Sequence, residues 1–538
     1  MRESLLVGGV VSLGAILIAA CSASNNNGQG TDDAGSSGTS GTSGTSGTSG
    51  TSGTSGTSGN PDAGDGGDGG PQPTPATTLK AGTAVLVGVT SDGYAAYIAI
   101  SGATASLEVV PVGGGAATVL VPAFAQTDGV RVSGASVAYW TTVTAGIGTL
   151  GYWTKATGPK AAVAAASRKG FFASSADSAR IAFSVAATAT STDLAVTTAA
   201  LGASTPVLTG LNAVNLAAAT PPAAGTPAPC SPDIGFVGNV FFGAYCTGVV
   251  PTTTAARLVT VPDASVTPKR LDSAVAAAAG TIIPFFSADT TGTKIFVIDT
   301  GPTARGRIIF NAVALTQASV DVDTTDGVML DDGSAAIFHV KNAAGTTKAI
   351  RRSTAVAAPV TTDLVATAAE AILSISRDQK HLQYQTIAAT AAGLLDIHVL
   401  STTPPPAPAV VVATATAFPF GFTGDSTTVL YQTDVDAMGI GKLKGMPVAG
   451  GAEKLLASNV YDLRPLKAGA GVLILDNPKA VSAQATTVDI KALDAVAGGT
   501  PTLLAQTVDT RAFNVSGKTL VFSITGGAAA GLFSTPIP

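Results

Sequence analysis

A short phrase recurs along this chain, and it constrains the fold more than any other feature of the sequence. It reads SADSARIAFSV from Ser175 and SADTTGTKIFVID from Ser287: a polar turn, then a strand of alternating apolar residues. Looser copies of the same pattern start at Ser91, Val132, Ser231, Asp331, Ser376, Thr423, Ala468 and Val515. A strand signal that repeats at a regular interval predicts a repeat architecture.

The turns of the ten copies lie about 42 to 56 residues apart, which is the period of propeller blades. They fall at Asp92, Gly134, Asp177, Asp233, Asp289, Asp332, Asp378, Asp425, Gly469 and Gly517. Several units continue with a further alternating strand, such as DIHVLST from Asp396, and a Gly-rich turn with a short apolar end, such as AGGAEKLLA from Ala449. Period-two alternation indicates strands rather than helices. We predict an all-β fold, a β-propeller of four-stranded blades.

The blade pattern resembles the propeller repeats of the TolB family. That family pairs Ser-Pro-Asp-Gly at the first turn with Ile-x-Phe in the next strand. Here Ser231-Pro232-Asp233 matches the turn, while Lys294-Ile295-Phe296 and Arg180-Ile181-Ala182-Phe183 match the strand. The resemblance runs from about Leu79 to the C-terminus. It departs at Gly134, Gly469 and Gly517, which stand where Asp is usual, and most Leu-Thr blade ends are lost. It implies the fold and hardly a function.

The two ends of the repeat region predict how the array closes. The last unit stops at Pro538 without an outer strand, whereas ATTLKAG from Ala76 reads as an outer strand with no blade before it. We expect this segment to complete the last blade and leave no free edge. Ten units fit either one large ring or two smaller propellers. A single closed array is favoured because no linker interrupts the units.

The N-terminus predicts export and a lipid anchor. An apolar run from Leu5 to Ala20 follows Arg2 and is too short to span a bilayer as a helix. It ends in Ile18-Ala19-Ala20-Cys21, which resembles the lipobox of bacterial lipoproteins. The resemblance implies a signal peptide over residues 1–20 and acylation of Cys21. Ser22, rather than Asp, follows the cysteine, which by the same resemblance favours the outer membrane over the inner one. The alternative is an ordinary secretory peptide.

Residues 21–77 are predicted to be a disordered tether before a propeller region at 78–538. Seven copies of Gly-Thr-Ser run from Gly38 to Ser58, and the flanking residues are rich in Asn, Asp, Gly and Pro. Such a segment has too little apolar surface to offset its ordering entropy. A flexible coil of about 57 residues spans near 40 Å. The hydroxyls could be glycosylated, but a spacer is the favoured interpretation.

Composition limits the partners. The net charge is −5 and charged residues are 12% of the chain, so no basic surface of the kind that binds nucleic acid is expected. The basic stretches RPLK at Arg464 and KRL at Lys269 are isolated and are predicted to be solvated. Cys230 and Cys246 flank the turn and strand of the fourth unit, where an exported protein favours a disulfide. A free thiol pair or half of a metal site are the alternatives.

The candidate catalytic and metal-binding residues give no clear site. His339, His381 and His398 lie in or beside predicted strands, without the ligand spacing of a metal centre. The stretches from Asp321 and Asp434 place carboxylates at alternate positions before Gly, but the Glu that completes a calcium loop is missing from both. We expect these and the repeated aspartates to form turns. No cofactor is predicted.

The aromatic pairs Tyr139-Trp140 and Tyr152-Trp153 gather in the second unit. Adjacent strand residues face opposite sides, so one of each pair is expected in the core and the other exposed or between blades. A carbohydrate or peptide platform is a less favoured alternative to packing.

Two classes of function are compatible with these features. The first is a non-catalytic binding or scaffold lipoprotein of the cell envelope, lipid-anchored and facing the periplasm or the surface. Its propeller would dock a protein, peptide or glycan. The second is a propeller enzyme, a lyase or hydrolase, with Asp, Arg and His converging on the channel. A cluster of such residues at a channel mouth would favour the enzyme, and an apolar channel would favour the scaffold.

Overall fold

The computed structural model describes residues 76–125, 127–189, 191–198, 206–212, 233–247, 255–261, 267–271, 285–299, 305–311, 316–322, 324–341, 348–366, 369–387, 395–404, 409–416, 418–482, 485–525 and 529–538. These residues form 39 β-strands, and the sequence prediction of an all-β fold is confirmed. None of the described segments is a helix long and apolar enough to cross a membrane.

The strands are numbered along the chain, and β1 (Thr77–Ala81) precedes the first blade. Blades one to five comprise β2 (Ala84–Val89), β3 (Tyr94–Ser101), β4 (Thr104–Pro111), β5 (Thr118–Val121); β6 (Gly129–Ser133), β7 (Ser136–Thr144), β8 (Ile147–Thr154), β9 (Gly158–Arg168); β10 (Phe172–Ser174), β11 (Arg180–Val185), β12 (Ser191–Thr198), β13 (Pro206–Asn212); β14 (Asp233–Val237), β15 (Val240–Thr247), β16 (Ala255–Val261), β17 (Lys269–Arg270); and β18 (Phe285–Ala288), β19 (Ile295–Asp299), β20 (Arg305–Asn311), β21 (Thr316–Val322).

Blades six to ten comprise β22 (Thr324–Met329), β23 (Ala335–Lys341), β24 (Lys348–Thr354), β25 (Thr361–Val365); β26 (Ala371–Ile375), β27 (His381–Ile387), β28 (Leu395–Ser401), β29 (Val410–Thr416); β30 (Phe418–Phe422), β31 (Thr428–Thr433), β32 (Gly441–Pro447), β33 (Lys454–Pro465); β34 (Gly471–Ser482), β35 (Ala485–Asp494), β36 (Thr502–Asp509); and β37 (Phe513–Ser516), β38 (Thr519–Ile524), β39 (Gly531–Pro536).

Eight of the sheets have four antiparallel strands, and the ninth has seven, from β30 to β36. The seven-stranded sheet is two blades that share one strand. Residues 454–460 of β33 pair with β32 as the outer strand of blade eight, and residues 460–465 pair with β34 as the inner strand of blade nine. The structure therefore has ten blades, one for each copy of the sequence repeat.

The ring closes as the sequence predicts. Strand β1 pairs antiparallel with β39, with Thr77 opposite Ser534 and Ala81 opposite Gly531. The resulting sheet has the order β1-β39-β38-β37, so the N-terminal strand is the outer strand of the last blade. This arrangement covers the outer edge of β39, which would otherwise expose unpaired backbone groups.

The hydrophobic core lies between blades rather than within them. Each sheet is apolar on both faces, and each face packs against a neighbouring blade, as a propeller requires. We call each such interface a seam. Ten buried clusters bridge the ten consecutive seams, including the seam from blade ten back to blade one. The blades therefore form one closed ring, and not two smaller propellers.

The first strand of each blade lies at the inner end of its sheet. First strands of consecutive blades contact one another, as β2 does with β6 and with β37. We call this set of strands the inner ring. The loops that join first to second strands share one end of it, and we call them the turn face. All ten of these loops lie within the described residues.

Candidate functional site

The turn face is built from the recurring sequence phrase. In blade three, Ser175 Oγ donates to Asp177 Oδ1 at 2.6 Å and accepts from the Arg180 amide at 3.0 Å. Asp177 Oδ1 also accepts from the Ala179 amide at 2.9 Å. The hydroxyl and the carboxylate thus accept hydrogen bonds from backbone amides of a tight loop, in place of backbone carbonyl groups. The recurring aspartates form turns, as expected from the sequence.

The same arrangement recurs in three other blades. A hydroxyl donates to a carboxylate two residues later at 2.6 Å in the pairs Thr90–Asp92, Ser376–Asp378 and Thr423–Asp425. Blade five differs, although its phrase is the closest match in sequence. Asp289 occupies the position of the hydroxyl residue there, and its Oδ1 accepts from the amides of Thr293 and Lys294. Two additional residues in this copy shift the register of the phrase by two positions.

The turn predicted for blade four at Ser231-Pro232-Asp233 is wrong. Asp233 is the first residue of β14 and pairs with Ala244, while the loop to β15 is Gly238-Asn239. Gly238 has φ +55°, and a two-residue loop of Gly and Asn suits the twist of a hairpin. The Ser-Pro-Asp signal therefore marks the start of a first strand in this copy, and Ser231 and Pro232 lie outside the described residues.

Each turn of the recurring phrase contains a residue with a positive φ, and in three blades the side chain of that residue bonds to the neighbouring blade. Glycine takes this position at Gly93, Gly292 and Gly333, but Ser178, Gln379 and Ser426 take it with φ between +56° and +64°. A positive φ is strained for a side-chain-bearing residue. Each of these three side chains accepts a hydrogen bond across a seam. Ser178 accepts from Ser136 Oγ at 2.8 Å, and Gln379 accepts from the Asp331 amide. Ser426 accepts from the Asp378 amide at 3.0 Å.

Backbone groups extend this network around the turn face. The Ser91 amide donates to Gly134 O at 2.9 Å, the Thr290 amide to Asp331 O at 3.0 Å, and the Asp425 amide to Gly469 O at 2.9 Å. Each bond joins the turn of one blade to the turn of the next. At Gly424 the packing is tight enough that a Cβ atom would lie 2.3 Å from Leu466 O. Hydrogen bonds thus join the turn-face loops of blades one to four and those of blades five to nine.

The turn face carries exposed charges of both signs, and its exposed basic residues are Arg377, Lys380, Lys467 and Lys518. Asp92, Asp177, Asp332, Asp378 and Asp425 are all exposed. Hydrogen bonds from Ser175 and the Ala179 amide lower the pKa of Asp177, and the Ser334 amide lowers the pKa of Asp332. Partial burial raises the pKa of Asp378 and Asp425, but bonds from their own turns outweigh it and lower both. Since their acceptor atoms are engaged in turns, these carboxylates suit electrostatic recognition better than proton transfer.

The inner ring is largely apolar. Strands such as β2 (AVLVGV) and β26 (AILSI) present aliphatic side chains. Charged side chains whose positions are described occur in three of the first strands: Arg131 in β6, Asp326 in β22, and Asp462 with Arg464 in β33. Arg131 Nη1 donates to Gly170 O at 2.6 Å. A mostly apolar inner wall matches the sequence expectation for a scaffold.

The prediction that the stretch at Arg464 is solvated is only partly right, because Lys467 is exposed but Arg464 is not fully so. Arg464 lies half-buried at the inner end of blade nine, with its guanidinium carbon 4.4 Å from the centroid of the Phe513 ring in blade ten. Burial lowers the pKa of Arg464, while the negative charge of Asp462 acts in the opposite direction. Burial also raises the pKa of Asp462, although the Leu463 amide and Arg464 oppose the shift. No sequence signal marked this contact, because Phe513 belongs to the next blade.

The three histidines do not converge. His339 is buried, with Nε2 2.9 Å from Ala369 O and Nδ1 4.0 Å from an Asp326 oxygen. His398 Nε2 lies 2.9 Å from Thr386 Oγ1, and burial lowers the pKa of this histidine. His381 Nδ1 lies 3.9 Å from an Asp378 oxygen at the turn face. Their roles in the described structure are local contacts within single blades.

The acidic stretches also form local structure. Asp434 pairs with Lys442 at 2.9 Å, and Asp436 Oδ1 accepts from the Met438 and Ile440 amides. The stretch from Asp321 runs from β21 into β22, and the Asp321 side chain is outside the described set. Among the described residues, no group of three or more His, Cys, Asp and Glu side chains is placed to hold a metal ion.

The aromatic pairs of blade two occupy both of its seams. Tyr139 and Trp153 pack toward blade one, whereas Trp140 and Tyr152 pack toward blade three. All four are buried, with at most 4% of each side chain exposed. The expected split of each pair between two faces is confirmed, and the alternative of an exposed carbohydrate or peptide platform is wrong.

The predictions for the cysteines and the N-terminus are not tested by these residues. Cys21, the signal peptide and nearly all of the tether lie outside the described range. Cys230 does as well, and Cys246 is placed only through the backbone of β15. The acylation of Cys21 and the pairing of Cys230 with Cys246 therefore stay predictions.

Comparison with known proteins finds similarity at the level of solved structures. No protein-family model matches the sequence, and no curated protein matches it either. The dipeptidyl peptidase 4 of Porphyromonas gingivalis is 11% identical with a TM-score of 0.43, over 84% of this chain and 65% of that one. A eukaryotic initiation factor is 12% identical with a TM-score of 0.39, over 71% and 88%. A TolB protein from Agrobacterium tumefaciens is 12% identical with a TM-score of 0.28, over 51% and 94%.

None of these similarities is strong enough to assign a substrate or an activity. The fold class rests on the strand pairing itself: four-stranded antiparallel blades, apolar seams between all neighbours, and an N-terminal strand that completes the last blade. The chain is therefore an all-β propeller of ten blades closed into one ring.

Proposed function

We propose that this protein is a lipid-anchored bacterial envelope protein whose propeller is a non-catalytic platform for a protein, peptide or glycan. Cys21 would carry the acyl chains in the outer membrane, and the Gly-Thr-Ser segment would tether the ring. The turn face would be the docking surface. The observation that carries the proposal is the set of hydrogen bonds at that face, which joins the loops of blades one to four and those of blades five to nine.

Rigidity is the property a docking surface needs. A surface that is already ordered loses little conformational entropy when a partner binds, so more of the contact energy appears as affinity. The strained backbone of Ser178 and Ser426 fits this interpretation, because the seam bonds hold both residues where they are. Exposed groups of both signs, among them Asp177 and Asp332 with lowered pKa values, keep the surface charged at neutral pH, which favours a partner with polar and charged groups.

The test is site-specific crosslinking in cells. A photoreactive amino acid would replace Ala176 or Thr291 on the turn face, both of which are exposed. The matched control replaces Met438, which is 68% exposed in a loop that joins a second to a third strand. We expect one discrete adduct from each turn-face position and none from Met438. Absence of a turn-face adduct, or the same adduct from Met438, would contradict the platform.

The anchor is tested separately with Cys21→Ala. We expect this variant to move from the membrane fraction to the soluble fraction, because acyl chains provide the membrane affinity of a lipoprotein. Crosslinking with the released protein then shows whether partner binding depends on the anchor. An unchanged membrane fraction for Cys21→Ala would contradict lipid anchoring but leave the platform standing.

A further inference from the structure

The guanidinium of Arg464 can donate hydrogen bonds that no described residue accepts. Its guanidinium packs over Phe513, yet it donates no hydrogen bond to any described residue, and its Nε is buried without a partner. Arg131, which lies in another inner strand, has a similarly buried Nε, but its Nη1 donates to Gly170 O at 2.6 Å. A desolvated guanidinium without acceptors is unfavourable, so an unpartnered group calls for a ligand or water.

The guanidinium of Arg464 lies at the inner ring and is partly exposed. Arg464 is the penultimate residue of β33, whose last six residues form the inner strand of blade nine. Phe513 is the first residue of β37, the inner strand of blade ten. The side chain is half-buried, so part of it is open to solvent. An aromatic ring behind a guanidinium holds it in place while leaving its N–H groups free to donate.

We propose that Arg464, supported by Phe513, forms an oxyanion-binding site at the inner ring between blades nine and ten. Its ligand would carry a carboxylate, phosphate or sulfate group, since the planar fork of arginine matches two oxygens of such groups. This deepens the proposed function, on which it rests for its biological use, by naming the chemistry of the bound molecule. The surrounding inner wall is apolar, which strengthens a charged contact by excluding water.

Asp462 sets the strength of this site. It lies two residues before Arg464 on the same side of β33, and its charge acts on the guanidinium. The two groups form no ion pair within 4.0 Å, and Asp462 Oδ1 instead accepts from the Leu463 amide at 2.7 Å. A nearby carboxylate repels an incoming anion. Removal of its charge should therefore tighten anion binding, and removal of Arg464 should abolish it.

The experiment measures the thermal midpoint of the full chain in rising concentrations of inorganic phosphate or succinate, with ionic strength held constant by chloride. A ligand of the folded state raises the midpoint in a saturable way. We expect Arg464→Gln to weaken the response at least about tenfold and Asp462→Asn to strengthen it about threefold. The control Arg511→Gln removes an exposed arginine that pairs with Asp509, and it should respond like the natural protein.

The opposite signs of the two variants separate a binding site from a structural role. Should Arg464→Gln fail to fold, Asp462→Asn still provides the test, because only a site centred on Arg464 gains affinity from it. The anion with the lower half-saturation concentration identifies the class of ligand. Equal responses in all variants would reveal a general salt effect and overturn the site. A turn-face crosslink together with a flat phosphate and succinate response would reject this site and keep the platform.

Discussion

Two seams of the ring differ in how the strands on either side of them are connected. Between blades eight and nine, one continuous strand, β33, passes from the outer edge of one sheet to the inner edge of the next. Between blades ten and one, the outer strand β1 also leads directly into β2 of blade one, but β1 comes from the far end of the sequence and is joined to the rest of blade ten only by its pairing with β39. The closure of the ring at the pairing of β1 with β39 must therefore be held by side chains and hydrogen bonds alone.

The difference is visible in the polar contacts of the two seams. At the closing seam, Lys80 in β1 reaches Glu108 in blade one at 3.2 Å, and Glu108 also accepts from Tyr97 at 2.6 Å and Ser106 at 2.7 Å. At the continuous seam, Lys454 donates to two backbone carbonyls, at Val496 and Ala497, from an exposed position. A buried carboxylate with three donors is the stronger contact, and through Lys80 it holds the closing strand β1 against blade one.

The largest effect is expected from removal of the closing strand. Deletion of residues 76–81 removes the pairing of β1 with β39 and the packing of Leu79 at the seam, a loss on the order of 5 kcal/mol. It also exposes the edge of β39, which favours association between molecules. Urea unfolding and size-exclusion chromatography measure the two consequences.

The matched control for that deletion removes six residues, 41–46, from the Gly-Thr-Ser tether and leaves β1 in place. We expect this variant to unfold like the natural protein. If both deletions behave alike, β1 does not close the ring in solution, and the comparison between the two seams fails.

A smaller effect is expected from Glu108→Gln, about 1–3 kcal/mol, because the amide keeps the shape but loses the charge-assisted bonds. Burial alone would raise the pKa of Glu108, but bonds from Tyr97, Ser106 and Lys80 together lower it. A lowered folded-state pKa adds stability that is present above the unfolded value of about 4.3 and is lost as the pH falls through the folded value. In the Glu108→Gln variant, the free energy of unfolding should therefore fall less steeply as the pH is lowered.

The corresponding variant in blade eight is Glu453→Gln. Glu453 accepts from Tyr431 at 2.7 Å and pairs with Lys444 at 2.7 Å, so its chemistry is similar, but its side chain is 51% exposed. We expect a loss of less than about 1 kcal/mol, because solvent screens an exposed carboxylate. Urea titrations between pH 3 and 7 compare the two variants. Equal losses would contradict the assignment of Glu108 as the main polar contact of the closing strand β1.

How much of this could be predicted from the sequence depends on the range of each signal. The blade repeat and the closing role of the segment at Ala76 were predictable, because strand alternation and a missing outer strand are local patterns. The turn of blade four was misplaced, because Ser-Pro-Asp can begin a strand as well as a turn. The contacts of Ser178, Gln379 and Ser426 were not predictable, since each partner lies 42 to 48 residues away in another blade.

The same reasoning explains why Arg464 was misjudged. A basic residue next to Pro and Lys in sequence resembles a solvated loop, yet β33 continues through this stretch into blade nine and brings the guanidinium against Phe513. A strand that serves two blades has no sequence signature, because alternation is the same in an outer and an inner strand. Only the pairing on both sides of Val460 reveals it.

The smallest predicted effect provides the finest test of the comparison, since it makes the same substitution at both seams. Lys80→Met removes the partner of Glu108 and should lower the free energy of unfolding by about 0.5–1 kcal/mol. Lys454→Met removes two exposed bonds beside a strand that already joins its blades, and should change stability by less than about 0.5 kcal/mol. Urea titration of both variants, each also combined with Glu108→Gln, gives the coupling energies. Lys80→Met should lose its effect in the Glu108→Gln background, whereas Lys454→Met should add to it. A larger loss at Lys454 than at Lys80 would show that the continuous strand, and not the closing strand, is the weaker connection of the ring.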